Sequence, residues 1–374
     1  MIQQPQYTAT TTKYNFPQQP QIDTELPTKF IELSLRSIKT INKNTDASIL
    51  YQPYDTTTED NITQPSEEIT PTFNGQTKLK LNTIQLKPLH EETPVTAIDV
   101  SSIRIGETNT GIIIAIRAAV IWKKQKNYNY LRIGPFPFHI TEENKQEIYN
   151  LFRQYSLDTA PNSKAYAPSL LNMQTHMTTL LERWLQQSIT QQTQNSLILL
   201  DGSLTAGTSD TPTTIMAQLL ATARNRLNTI LAFTKTTRLR LQGHRLTDLI
   251  CKARAPCLLE MTGYPTATAY SVQFLGNIYV AKLTQGNCSF RLDIDQQLPQ
   301  QQAVEAVQRL LANDRLSESY PETLRLAHIY STFTATEVLA IQRLLAHTHG
   351  IKTVTRPNIR RLLFGPFGKG PEGG

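Results

Sequence analysis

The chain has 374 residues, of which 37 are Lys or Arg and 30 are Asp or Glu, so its formal net charge is +7. This length allows one large domain with appendages or two average domains. The excess charge lies in the second part: residues 1–201 carry 18 basic and 19 acidic side chains, and residues 202–374 carry 19 and 11. Such a distribution favours a polyanionic partner, although a basic surface can also serve solubility alone.

Several classes of protein are excluded by what the sequence lacks. Cys251, Cys257 and Cys288 have neither the paired spacing of a zinc ribbon nor an even count, so a reducing cytoplasm is expected. The first residues are polar, and the longest apolar stretch, 111–122, is broken by Arg117 and too short to cross a bilayer. We therefore expect a soluble cytoplasmic protein with no membrane partner.

Two common catalytic motifs are also missing. The sequence has no Gly-x-x-x-x-Gly-Lys-Ser/Thr phosphate loop, so the chain is not expected to hydrolyse ATP itself. Ser203 follows Gly202 but lacks the second glycine of a Gly-x-Ser-x-Gly nucleophile elbow.

The N-terminal part, 1–75, is rich in Thr, Gln, Pro and Asn. Only 26–44 has apolar residues at helical spacing, which predicts one helix in a loosely ordered extension. From about residue 76 the residue pattern becomes typical of β-strands. VTAIDVSSIRIGE and GIIIAIRAAVIWKK predict an antiparallel meander, SLLNMQTHMTTLLERWLQQS predicts a long amphipathic helix, and NSLILLDGSL predicts a short buried strand.

The remainder alternates between helices and strands. Helices are expected near 213–231, 243–253, 301–313 and 321–347, and strands near 230–235, 270–283 and 288–294. This order predicts an α/β fold in which a mixed sheet is flanked by helices, over 76–350. The basic Gly/Pro-rich tail, 351–374, carries apolar residues that either dock to a partner or pack back on the domain.

Two aspartates end apolar strand segments and are followed by small residues. Asp99 follows Val95 to Ile98, and Asp201 follows Leu197 to Leu200. On neighbouring strands they would place two carboxylates at one sheet edge, which is an arrangement that calls for a divalent cation. Glu182, 19 residues before Asp201 on the long helix, is a third candidate. The alternative is that the aspartates are turn or cap residues and that Glu182 is a solvated helix residue.

His328 and a basic stretch are further candidates. His328 follows the start of a predicted helix and could bind metal, orient a phosphate or transfer a proton, unless it is a core histidine. Residues 224–254 hold eight Lys or Arg and one acid, and Lys235, Arg238 and Arg240 could neutralise successive phosphates, unless they form a solvated face.

Lys282 and Arg291 lie on predicted adjacent strands and are additional candidates for phosphate contact. The alternative for both is pairing with Asp293 or Asp295 within the sheet.

Five short blocks, in order, resemble the NurA family of archaeal and bacterial end-resection nucleases. They are AIDVSS, LLDGSL, AFTKTTR, YVAKL with FRLDI, and YPETLRLAH, and together they span about residues 90–350. The resemblance implies an RNase H-like fold and a metal-dependent deoxyribonuclease with 5′ to 3′ exonuclease and single-strand endonuclease activity. It also implies two divalent ions, Mn²⁺ or Mg²⁺, a hexameric HerA-type ATPase partner and a homodimer acting in double-strand break repair.

Position by position, the resemblance assigns Asp99, Glu182, Asp201 and His328 to catalysis and metal binding, with Lys235 in the third block. Asp99 is followed by Val-Ser-Ser where Gly-Ser is more usual, which makes the turn there less certain. Two alternatives stay open: an RNase H-like endonuclease or resolvase on other nucleic acids, and a non-catalytic DNA-binding subunit.

Overall fold

The computed structural model describes residues 25–43, 49–51, 72–73, 83–157, 165–237, 239–241, 243–261 and 272–354. Its helices are α1 Glu25–Lys39, α2 Lys145–Leu157, α3 Leu170–Gln192, α4 Thr213–Asn225, α5 Gln300–Asn313, α6 Glu322–Ser331 and α7 Ala335–His349, with 3₁₀ helices at Thr40–Lys43 and Leu246–Ile250.

The strands of the first half of the chain are β1 Ile49–Tyr51, β2 Thr72–Phe73, β3 Thr83–Gln85, β4 Val95–Glu107, β5 Gly111–Lys124, β6 Asn127–Thr141 and β7 Leu197–Asp201. Those of the second half are β8 Thr205–Ala206, β9 Thr229–Thr234, β10 Arg240–Leu241, β11 His244–Arg245, β12 Cys257–Glu260, β13 Gln273–Phe274, β14 Gly276–Lys282, β15 Phe290–Asp295, β16 Leu316–Ser317, β17 Tyr320–Pro321 and β18 Lys352–Val354.

In the part of the chain that the structure describes, eleven strands form one sheet. Its main order is β18-β1-β4-β7-β9-β15-β14-β12-β3, and β5 and β6 extend from β4. The central strands run β6-β5-β4-β7-β9, where β4, β7 and β9 are parallel and β5 is antiparallel to both of its neighbours. This is the strand order of the RNase H-like fold, so the predicted fold class is confirmed.

Helices cover both faces of the sheet. On one face α2, α3 and α4 pack over the core, and α3 contributes Met177, Leu180 and Leu181. On the other face α5 and α6 contribute Leu310 and Leu324. Because the central strands are buried on both sides, they are continuously apolar rather than alternating, which is why β5 reads as one long Ile- and Ala-rich run.

The structure corrects several predicted boundaries. Strand β6 and helix α2 were not predicted, and the helix expected near 243–253 is wrong, because this stretch forms β11 and a short 3₁₀ helix. The helix expected at 321–347 is two helices, α6 and α7. The chain breaks between them because Thr334 caps α7 through a capping box with Glu337.

Part of the expected N-terminal extension joins the sheet. Helix α1 overlaps the predicted 26–44, beginning one residue earlier, and packs on β6, and β1 pairs with both β4 and β18. In α1, Leu33 is buried, whereas Leu35 is 53% exposed and so lies off the buried flank. Most of 1–75 and all of 355–374 lie outside the described residues. None of the described helices is both long and apolar enough to cross a membrane.

A buried histidine holds α1 and its 3₁₀ extension to the sheet. His139 of β6 is 1% exposed, and its two ring nitrogens lie 2.9 Å from the hydroxyls of Thr40 and Thr108. Burial lowers the pKa of His139 to about 4, because the charged ring would lose its hydration.

This histidine makes stability depend on pH. The folded pKa is lower than the unfolded value, so the unfolded chain binds the proton more tightly and stability falls as pH decreases from about 6.5 towards 4. We expect wild type to lose about 2 kcal/mol more between pH 7 and pH 5 than His139→Gln, measured by urea unfolding. His244→Gln, at an exposed position, should keep the wild-type dependence of the unfolding free energy on pH. Equal slopes in wild type and His139→Gln would contradict this account.

Candidate metal centre

The two predicted aspartates lie side by side, Asp201 at the end of β7 and Asp99 within β4, which continues to Glu107. Ile98 of β4 is in register with Leu200 of the parallel strand β7, so Asp99 and Asp201 follow at the same level. Because side chains alternate along a strand, both aspartates share the face of Ala97 and Leu199, which α6 covers. Parallel pairing of two short apolar segments is therefore sufficient to bring the carboxylates together.

The chain turns away directly after Asp201. Gly202 has φ +137°, a conformation that other residues rarely adopt, and its N–H donates to the carbonyl of Phe233 at 2.8 Å. Its own carbonyl accepts a hydrogen bond from Thr234 at 2.7 Å. The Asp-Gly-Ser sequence thus ends β7 sharply and leaves Asp201 at the edge.

Helix α6 brings His328 to the two aspartates. The Nδ1 atom of His328 lies 3.5 Å from Oδ2 of Asp99, and the side chain of His328 is 51% exposed. Asp99, Asp201 and His328 each offer one ligand atom, and these atoms lie within 4.8 Å of one another. The structure therefore assembles three of the four residues predicted for metal binding.

Asp201 sits between a cation and another carboxylate. Its Oδ2 atom lies 2.6 Å from Nζ of Lys235. Burial raises the pKa of Asp201, Lys235 opposes this rise, and Asp99 adds to it. The positive charge of Lys235 therefore compensates only part of the unfavourable energy of the buried carboxylate.

Glu182 lies beside this group but is not one of the three converging residues. It is half-buried on α3, and Oε1 accepts a hydrogen bond from Gln186 at 2.8 Å. Burial raises the pKa of Glu182 to about 7, and the charges of Asp99 and Asp201 contribute to the rise. Its carboxyl group is thus electrostatically coupled to the pair, and its role as a ligand stays a prediction.

The predicted DNA-binding residues are differently placed. Lys235 lies at the site. Arg240 is exposed and donates to the carbonyl of Gly243 at 2.8 Å, and Arg238 lies outside the described residues. A continuous groove of basic side chains along 235–240 is therefore not described by the structure.

Lys282 and Arg291 do not line a groove. Lys282 is 4% exposed and donates to the carbonyl of Cys251, while Arg291 is 6% exposed and binds the carboxylate of Asp293 through two hydrogen bonds of 2.7 and 2.6 Å. The pairing with Asp293 that the sequence left open is thus found, along one strand. Both cations are engaged inside the protein, so we do not assign them to a phosphate.

Sequence reasoning did not identify two residues at the site. Tyr320 is 9% exposed, and its hydroxyl has no hydrogen-bond partner among the described residues. Burial and the charges of Asp201 and Asp99 raise the pKa of Tyr320. Ser331, the last residue of α6, donates a hydrogen bond to Oδ2 of Asp99. The sequence could have indicated Tyr320, because it lies in the same block, YPETLRLAH, as His328. No sequence pattern pointed to Ser331.

These donors fit a divalent cation. Two carboxylates and an imidazole converge in a partly buried place, and carboxylate oxygens are the ligands that Mg²⁺ and Mn²⁺ prefer. A cation there would also neutralise charge that raises the pKa values of Asp201 and Glu182. The fold and the site therefore define a class: an RNase H-like protein with a site suited to divalent cations at the carboxyl edge of its parallel strands.

Solved structures with a similar fold include two nucleases. The NurA nuclease from Sulfolobus solfataricus is 14% identical over 71% of this chain and 87% of that chain, with a TM-score of 0.42. Endonuclease V from Bacillus subtilis is 11% identical over 72% of this chain and 89% of that chain, with a TM-score of 0.33. No protein-family model and no curated protein matches the chain. The resemblance to NurA seen in the sequence is thus also found in the structure comparison, and the functional argument below rests on the site.

An ion pair between buried Arg117 and half-buried Glu337 fixes the end of α6 on the sheet. Arg117 of β5 is 3% exposed, and its guanidinium binds the carboxylate of Glu337 at 2.8 Å and the carbonyl of Thr332 at 3.2 Å. Burial acts to raise the pKa of Glu337, but the hydrogen bonds from Arg117, the Thr334 N–H and Arg132 outweigh it and hold the pKa at about 2.

We expect Glu337→Gln to destabilise the protein by about 3 kcal/mol, because it leaves the Arg117 charge buried without its partner. Urea unfolding at pH 7 measures the change. The control is Glu143→Gln at an exposed position before α2, where the expected change is below about 0.5 kcal/mol. Equal stabilities of the two variants would show that the Arg117 pair does not hold α6 and α7 in place.

Proposed function

We propose that this protein is a divalent-metal-dependent deoxyribonuclease. The observation that carries the proposal is the convergence of Asp99, Asp201 and His328 within 4.8 Å, at the carboxyl end of β7 and beside the middle of β4. Three side chains that suit a catalytic cation, at a place open enough to leave His328 half-exposed, support hydrolysis of a large anionic substrate.

Asp99 and Asp201 would hold the cations, and Glu182 would join them once its proton is lost. Two divalent ions, most suitably Mn²⁺ with Mg²⁺ as the substitute, would supply Lewis-acid activation of the phosphodiester and of a water nucleophile. His328 would either complete the donor set or, when it does not bind the cation, pass a proton from the exposed part of its ring to the leaving oxygen. Lys235 can contact the scissile phosphate from the Asp201 side.

The finer assignments follow the family resemblance and are proposals as well. They are 5′ to 3′ exonuclease and single-strand endonuclease activity in DNA end resection, a homodimer, a HerA-type ATPase partner and a prokaryotic cytoplasm. The catalytic unit would be the predicted 76–350 together with α1, β1 and β18, the parts of 1–75 and 351–374 that pack on or join the sheet.

Degradation of 5′- and 3′-labelled single- and double-stranded DNA tests the activity. With Mn²⁺ or Mg²⁺ we expect digestion by wild type, none in EDTA, and a loss of about 100-fold or more in Asp99→Asn and Asp201→Asn, because each variant removes a charged ligand. The matched control is Asp248→Asn, an exposed aspartate that should leave activity unchanged. The order of label release gives the polarity.

Activity that is equal in wild type and both site variants would point to a contaminating nuclease. Tight DNA binding without digestion by wild type would favour the non-catalytic DNA-binding subunit, and digestion confined to RNA hybrids or branched DNA would favour the resolvase alternative.

Lys235 gives a second test, because it is expected to act in opposite directions on cation and substrate. Lys235→Met removes a positive charge 2.6 Å from Asp201, so Mn²⁺ should bind about threefold or more tightly. DNA binding in Ca²⁺ should weaken, and its salt dependence should fall by about one unit of slope. The control is Lys87→Met, at an exposed lysine. Unchanged affinities for both Mn²⁺ and DNA would show that Lys235 affects neither cation binding nor DNA binding.

A further inference from the structure

The hydroxyl of Ser331 lies where three parts of the site meet. Ser331 is 0% exposed at the end of α6. Its Oγ hydrogen-bonds Oδ2 of Asp99, lies 2.9 Å from Oγ of Ser101 and 3.0 Å from the carbonyl of His328. One side chain therefore contacts the first aspartate, the strand that carries it and the residue that supplies the imidazole.

The direction of these hydrogen bonds follows from the number of protons. A serine hydroxyl donates one hydrogen and accepts two. Donation to a carboxylate is the stronger choice, because the acceptor is charged. Ser331 therefore donates to Asp99, and Ser101 can in turn donate to Ser331. This gives a chain of donors, Ser101 to Ser331 to Asp99, directed at the metal centre.

The other contacts of the Asp99 carboxylate are longer. Ser101 lies 3.4 Å from its Oδ2, and His328 lies 3.5 Å from the same atom. None of these three contacts uses Oδ1. Ser331 thus makes the shortest contact of the three, and all of them restrain one oxygen of Asp99.

We propose that Ser331 is a positioning residue, which fixes the carboxylate of Asp99 for cation binding and couples it to the helix that carries His328. This inference rests on the proposed function, since it concerns the same site. Residues that orient a metal ligand through a hydrogen bond typically change metal affinity by about 10- to 100-fold when they are removed. They do so without contacting the cation or the substrate.

A second buried serine provides a matched control. Ser156 is 0% exposed on α2, and its hydroxyl has no hydrogen-bond partner among the described residues. Both serines are helical and fully buried, so replacing either by alanine removes a similar volume. Only Ser331 contacts a carboxylate of the site.

The experiment measures Mn²⁺ binding by electron paramagnetic resonance in wild type, Ser331→Ala, Ser331→Cys and Ser156→Ala. Ser331→Cys keeps a side chain of similar size but replaces the hydroxyl with a weak donor. We expect the dissociation constant for Mn²⁺ to rise about 10-fold or more in both Ser331 variants and to stay unchanged in Ser156→Ala. Nuclease activity should recover towards wild type when Mn²⁺ is raised above the new dissociation constant.

Four outcomes are informative. Weaker Mn²⁺ binding in both Ser331 variants, with unfolding midpoints close to that of Ser156→Ala, supports the proposal. Equal Mn²⁺ affinity in wild type and both Ser331 variants overturns it. Wild-type affinity in Ser331→Cys with weak binding in Ser331→Ala also overturns it, because packing rather than hydrogen bonding would then matter. Absence of Mn²⁺ binding in wild type overturns the proposed function itself, which separates the two failures.

Discussion

Like-charge repulsion between two carboxylates is the constraint around which the site is organised. Parallel pairing of β4 with β7 leaves Asp99 and Asp201 no freedom to separate along the strands, because their backbones are fixed by four paired positions. At such short range in a partly buried place, repulsion is substantial unless positive charge or hydrogen bonds offset it. The surroundings provide both, and they do so unequally.

The compensation is divided between the two aspartates. Asp201 has an ion pair with Lys235, which is 38% exposed and so retains contact with solvent. Asp99 is more buried and has hydroxyl and imidazole neighbours instead. The pKa values of Asp201 and Glu182 are raised nevertheless, so the acidic group remains undercompensated. A cation that binds only the folded protein would therefore add to its stability by mass action.

The parts of this site that sequence could predict are those encoded locally. A short apolar segment followed by Asp predicts a strand with a carboxylate where the apolar run stops, which is why Asp99 and Asp201 were found, although Asp99 is buried and β4 continues to Glu107. The positions of Tyr320 and Ser331 and the burial of Arg291 depend on how distant elements pack. Ser331, for example, contacts Asp99 across 232 positions of the chain. Short-range pattern carries no information about such contacts. Strand β6 was missed for a related reason, since much of it is only half-buried and its apolar pattern is weak.

The site is thus built from two structural sources with different rigidity. The sheet contributes Asp99 and Asp201 on central strands that are hydrogen-bonded on both sides. Helix α6 contributes His328 and Ser331, and its position depends on the ion pair of Arg117 with Glu337 just beyond its end. Because buried ion pairs fix geometry more than they stabilise, Arg117 is best explained by what it aligns. Arg117 of β5 is paired in register with Ser101 of β4. The stretch of β4 and β5 that holds α6 therefore also carries Ser101, the first donor in the hydrogen-bond chain to Asp99. The position of the helix and the orientation of the carboxylate are therefore set together, and any motion of α6 would move the imidazole of His328 and the carboxylate of Asp99 at the same time.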